Sequence, residues 1–112
     1  MKKLEIVIRP EKFEDLKMVL KDYDIKGMMV SNVMGHGNQM GYQQQYRGNV
    51  YSVNLVNKLK VEVVVKDEIV DQILKSISDE LSTGQVGDGK VFVYEVINAM
   101  RIRTGEQGED AL

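Results

Sequence analysis

The sequence contains no cysteine, one proline, one histidine and no apolar run long enough to span a bilayer. The absence of cysteine excludes disulfides, thiolate nucleophiles and cysteine metal sites. The lone His36, between Gly35 and Gly37, has no acidic orienter or second ligand beside it and makes a poor base or metal site. Neither sign of charge dominates: 15 Lys and Arg against 17 Asp and Glu leave a net charge of −2. Nucleic acid is therefore not the expected partner, because binding its phosphate backbone needs a basic surface. Any cationic cluster must be local, which suits a small anion better than a polymer. Met1-Lys2-Lys3-Leu4 starts like a secretory leader, but Glu5 and Arg9 interrupt it, and the expected location is the cytoplasm. With 112 residues, 43% of them hydrophobic and 29% charged, one soluble globular domain is expected over residues 1–112. A domain of that size gains stability from association.

The apolar pattern supplies the elements. Leu4, Ile6 and Ile8 alternate as in a strand, and Pro10 stops that strand while suiting the first turn of a helix. Phe13, Leu16, Val19 and Leu20 follow at helical spacing as far as Asp24. A second strand is expected over residues 28–34, and a third over 60–66, where Val61, Val63, Val64 and Val65 are β-prone. Asp67 is the expected N-cap of a second helix carrying Ile69, Val70, Ile73, Leu74, Ile77 and Leu81. A last strand runs from Lys90 to about Ile97. The order β-α-β-β-α-β predicts an α+β, ferredoxin-like fold, with two helices on one face of an antiparallel four-stranded sheet. The other face is expected to retain valines and isoleucines, which suggests an oligomer. Residues 35–57 are too long for a hairpin connection and carry one formal charge, Arg47, among Gly, Gln, Asn and Tyr; they read as a mobile binding arm.

Two motifs carry chemistry. In Thr83-Gly84-Gln85-Val86-Gly87-Asp88-Gly89-Lys90 the glycines let backbone N–H groups approach an anion, and Lys90 adds a point charge. In Arg101-Ile102-Arg103 the spacing of two puts both guanidinium groups on one face of a strand, with Ile102 toward the core. Their planar forks match phosphate oxygens. Together these residues read as half of a polyphosphate site. The same residues also read as an ordinary turn and the wet face of an edge strand.

Taken with Gly35-x-Gly37-x-Gln39, Tyr46-Arg47-Gly48-x-x-Tyr51 and Thr104-Gly105-Glu106, the whole chain resembles the PII-type nitrogen-regulatory signalling proteins. The resemblance implies a homotrimer with ATP or ADP in each cleft between subunits. Residues 35–57 would be the partner-reaching T-loop, residues 82–90 the phosphate-binding B-loop and residues 101–112 the C-terminal loop. Gly35, Gly37, Asn38, Gln39, Gly87, Asp88, Gly89, Lys90, Arg101 and Arg103 would line the nucleotide. 2-Oxoglutarate would bind with Mg2+ and ATP through Gly37, Gln39, Gly41 and Lys58, with Gln39 in the magnesium shell. Arg47 would enter an ammonium transporter's pore, and Tyr51 matches a tyrosine that some members have modified. The implied role is a regulator of an ammonium transporter or of a nitrogen-assimilation enzyme or regulator, with at most slow incidental ATP hydrolysis.

The sequence departs from the family pattern at several positions. Asn38 replaces a frequent arginine, Met29 a threonine often near the adenine, and Gln43-Gln44-Gln45 a tip that commonly carries glutamate. Two alternatives belong beside this reading. One is a PII-like trimer that senses another nucleotide or anion, against which Gln39 and Lys58 argue. The other is a ferredoxin-fold enzyme acting on phosphates, for which no nucleophile or base stands out.

Overall fold

The computed structural model describes the backbone of residues 1–36, 42–46, 49–53 and 55–112, and the side chains of residues 1–36 and 55–112. In chain order the elements are β1 (Lys2–Ile8), α1 (Phe13–Asp22), β2 (Met29–His36), β3 (Tyr42–Tyr46), β4 (Asn49–Val53), β5 (Leu55–Val65), α2 (Val70–Leu81) and β6 (Gly89–Glu95). Single 3₁₀ turns at Pro10–Lys12 and Asp67–Ile69 lead into the two helices. The main sheet has the order β2-β5-β1-β6, and each neighbouring pair is antiparallel. This is the ferredoxin-like arrangement that the element order predicts.

Period-two alternation places Leu4, Ile6 and Ile8 of β1 and Val61, Val63 and Val65 of β5 on the helix side of the sheet, all buried. The helical stripes meet them with Leu16, Val19 and Leu20 from α1 and Val70, Ile73, Ile77 and Leu81 from α2. Removing such a side chain from water stabilises the fold by ~1.5–3 kcal/mol. Asp24 ends α1 in the left-handed region, at φ 58°, and the Ile25 N–H returns to the Leu20 carbonyl at 3.1 Å. The Tyr23 hydroxyl joins the helices, donating to the Gln72 carbonyl at 3.1 Å and lying 2.7 Å from Ser76 Oγ.

Three expectations need correction. The open sheet face keeps valines, Val7, Val33 and Val64, but no isoleucine from β1, because Ile6 and Ile8 take the covered side, and charged residues stand among them. Lys3 pairs there with Glu62 at 3.3 Å, and Lys60 reaches Glu5 at 3.6 Å and Glu62 at 3.8 Å. Tyr94 donates its hydroxyl to Glu5 at 2.7 Å, and the Lys3 ammonium sits 4.7 Å from the Tyr94 ring centre. Half-buried Val7 and Val64 lie between these charges. Asp67 makes no capping hydrogen bond; its carboxylate pairs with the Met1 ammonium at 3.0 Å and titrates below the usual range because of that bond. Finally, the connection expected over 35–57 contains strands. β2 continues to His36, β5 begins at Leu55, and β3 pairs with β4 from Tyr42↔Val53 to Tyr46↔Asn49. Among the described residues no helix is long and apolar enough to cross a membrane.

Candidate functional site

The turn between α2 and β6 is organised by its own carboxylate. Asp88 accepts from the Thr83 hydroxyl at 2.5 Å, the Thr83 N–H at 2.8 Å and the Gly84 N–H at 3.0 Å. Arg9, at the end of β1, adds a 2.8 Å ion pair. The Thr83 hydroxyl and N–H, then the Gly84 N–H and the Arg9 charge, hold the Asp88 carboxyl down at about 2. Gly84, Gly87 and Gly89 take φ values of 80°, 100° and 109°, which only glycine adopts without strain. At Gly89 the constraint is also steric: a Cβ would stand 1.9 Å from the Val7 carbonyl oxygen, so the turn enters β6 against the backbone of β1.

Lys58 reaches this turn from β5. Its ammonium donates to the Gly87 carbonyl at 2.6 Å, and the residue is 7% exposed. Gly35 on β2 makes room for it, since a Cβ there would meet Lys58 Cγ at 3.2 Å. Among the described residues no carboxylate pairs with Lys58. Burial first, and the Arg9 charge second, push its pKa below the ordinary lysine value. Gly35, Lys58, Val86, Gly87, Gly89 and Lys90 surround one cavity of ≈ 420 Å³. Lys90 is exposed at its rim, with no ion-pair partner among the described residues. A hollow holding an uncompensated buried cation, a second free cation and a left-handed glycine turn fits an anion. It has no acid or thiol cluster that could hold a metal by protein ligands alone, again among the described residues.

Arg101 and Arg103 do not line this cavity within one chain. Residues 101–104 form a turn rather than a strand, and Ile102 is 91% exposed instead of buried. The loop closes on itself through the Gly105 N–H to the Arg101 carbonyl at 2.7 Å, the Arg101 N–H to the Glu106 carbonyl at 2.8 Å and a bridge between Met100 and Gln107. Arg101 also pairs with the Glu106 side chain at 2.7 Å. Beyond it, Leu112 borders a second hollow of ≈ 780 Å³ with Met28, Met29 and Val64. Met29 is 67% exposed at the start of β2.

Of the expected site residues, Gly37, Asn38, Gln39, Gly41 and Arg47 lie outside the described residues, and Tyr51 is described only as backbone of β4. Gly35, Lys58, Gly87, Gly89 and Lys90 come together, and Asp88 is spent inside the turn. Reading the sequence missed Arg9 and the Thr83 hydroxyl. Their only local signal is that Arg9 precedes Pro10, which fixes where β1 must end.

Comparison with known proteins agrees over the full length. The family model described as "Nitrogen regulatory protein P-II" matches residues 1–106. A protein of that name from Haemophilus influenzae is 49% identical, covering all of both chains. "Nitrogen regulatory protein P-II 1" from Methanothermobacter thermautotrophicus is 48% identical over all of this chain and 97% of its own. Among solved structures, the one titled "Structure of B. subtilis GlnK" superposes with a TM-score of 0.81 at 45% identity, covering 99% of this chain and 97% of that one.

Proposed function

The chain belongs to the P-II family of nitrogen regulatory proteins, and on that premise we propose that it reports energy and nitrogen status by binding ATP or ADP. The carrying observation is the cavity that gathers Gly35, Lys58, Gly87, Gly89 and Lys90, with no carboxylate paired to Lys58 among the described residues. Gly87 and Gly89 offer a turn that an anion can approach closely, and Lys90 neutralises phosphate at its rim. Arg101 and Arg103 lie away from the cavity of their own chain, which is the placement expected if they complete the cavity of a neighbouring copy. In this reading the working unit is a trimer with its nucleotide sites between subunits.

2-Oxoglutarate is the second ligand. The desolvated Lys58 ammonium pairs with its distal carboxylate, and Gly37, Gln39 and Gly41 complete its site. Gln39 would help to hold Mg2+, which would supply positive charge for the phosphates and the 2-oxo acid. Differential affinity of these ligands for states of residues 35–57 then decides which partner Arg47 and its neighbours meet. That partner is an ammonium transporter or a nitrogen-assimilation enzyme or regulator. The protein works in the cytoplasm and reaches the membrane through the transporter, and Tyr51 is a candidate for modification. Its relatives are named regulatory proteins, and in this reading the chain acts as a regulator and not as an enzyme.

Calorimetric titration tests the proposal. ATP and ADP should compete for one site per chain, and 2-oxoglutarate should bind only with magnesium-ATP present. Saturable 2-oxoglutarate binding without nucleotide, or no binding of either nucleotide, would overturn it. Lys58→Ala should weaken 2-oxoglutarate far more than ATP.

A further inference from the structure

We propose that Arg9 is a positioning residue of the anion site: it does not touch the ligand, but pins the turn 83–88 in the form that receives one. The inference rests on the reading of that turn as the phosphate cradle.

The turn is flexible by composition. With Gly84 and Gly87 inside it and Gly89 behind it, its peptide planes could adopt several orientations at little cost. Only one kind of orientation serves an anion, in which N–H groups face the ligand and carbonyl oxygens face away. A peptide group is planar and trans, so fixing a carbonyl also fixes the N–H that follows it. Arg9 Nη2 donates to the Val86 carbonyl at 2.7 Å, which sets the Gly87 N–H in the opposite direction. On its other side, Arg9 Nη1 holds Asp88 Oδ1 at 2.8 Å and lies 3.4 Å from Thr83 Oγ1. One planar head therefore ties both ends and the middle of the turn, which a lysine ammonium could not reproduce.

Arg9 is itself well placed to act as a fixed post. Its backbone stands where β1 stops, next to the rigid ring of Pro10, and its carbonyl accepts from the Lys12 N–H at 3.0 Å. Its side chain is 18% exposed and its guanidinium is engaged by the turn. Lys58 holds the next carbonyl, that of Gly87. The two neighbouring oxygens are thus each held by a cation, and the free cation of the turn, Lys90, is left for the ligand.

The test is ATP and ADP affinity by calorimetry for wild type, Arg9→Gln, Arg9→Lys, Asp88→Asn and the double variant Arg9→Gln/Asp88→Asn, with thermal midpoints measured alongside. Positioning predicts a loss of about tenfold in Arg9→Gln, equivalent to ~1.4 kcal/mol. Arg9→Lys should also lose affinity, because charge without the fork does not orient Val86. The double variant should lose no more than the worse single, since both act on one turn. Backbone amide exchange in the ligand-free Arg9→Lys protein should quicken within residues 83–89 and not in β1 or β5. Unchanged affinity in Arg9→Gln, full affinity in Arg9→Lys, or additive losses in the double variant would each overturn the inference while leaving the function intact. If Arg9→Gln does not fold, Arg9→Lys decides alone, by affinity and exchange. A wild-type chain that binds neither nucleotide would overturn the proposed function and this inference together.

Discussion

The turn of residues 83–90 and the loop of residues 100–108 both present the cations of the proposed site, yet they are held in opposite ways. The turn is tied to the body of the fold by Arg9 and Lys58 and wedged against β1 at Gly89. Its internal carboxylate is consumed by structure, and its cation Lys90 is left over. The loop is closed by its own atoms, and its internal carboxylate Glu106 takes the cation Arg101. Ile102 in the loop and Ile97 just before it stand 91% and 96% exposed. The turn is thus held by long-range ties, whereas the loop keeps its shape through contacts among its own residues.

Substituting the glycines tests that contrast most strongly. Gly89→Ala places a methyl group against the Val7 carbonyl at φ 109°, so both packing and backbone conformation oppose it. The two penalties should cost about 3 kcal/mol together, read by urea unfolding. A cost below about 1 kcal/mol would show that the turn has slack.

Acid should next expose what Asp88 contributes to the turn. Asp88 has a folded pKa of about 2 against an ordinary 3.8. A depressed carboxyl contributes stability that is fully present above the unfolded value and is lost as pH falls through the folded one. The stability advantage of wild type over Asp88→Asn should therefore hold above pH 3.8 and disappear between 3.8 and about 2. At neutral pH Glu106→Gln should cost less stability than Asp88→Asn, because an exposed ion pair contributes little. Equal losses from the two variants would erase the distinction between tied turn and self-closed loop.

Gly105→Ala is the mild counterpart of the first change. Its φ of 74° is left-handed, but no atom lies within 4 Å of the added methyl. The cost should be about 1 kcal/mol from conformation alone, with the rest of the fold unmoved. A cost matching that of Gly89→Ala would mean the loop is wedged too.

The contrast also explains what could be read from the sequence. The sheet and helices were legible because their signals are local: alternation at Leu4, Ile6 and Ile8, and helical stripes such as Ile73, Ile77 and Leu81. The turn between α2 and β6 was legible from its glycines, Gly84, Gly87 and Gly89. Arg9 was not, because its partner Asp88 lies 79 residues away and a charge closing a strand looks merely solvated. Arg101 and Arg103 were placed on a strand because a spacing of two is all that a strand face requires. Gly105 and Gly108, at φ 74° and 68°, are the signal that the chain folds back there. Asp67 looked like a cap because its neighbours in sequence permit one; the ammonium that claims it is that of Met1, just before the start of β1 beside it.

Lys58 gives the smallest and most diagnostic effect. Lys58→Met keeps the stem against Gly35 but removes a desolvated cation, which favours the fold, and orphans the Gly87 carbonyl, which opposes it. These opposing effects should leave stability at neutral pH within about 1 kcal/mol of wild type. The pH dependence then identifies the cation. Because the folded pKa of Lys58 lies below 10.5, its charged form is penalised in the folded state. That penalty is present in full below the folded value and fades as pH rises toward 10.5. Wild type should therefore gain on Lys58→Met across that range, the reverse of what a paired surface lysine would do. A difference that stays flat would mean the ammonium is already solvated or paired, and Lys58 would no longer be a cation waiting for a carboxylate.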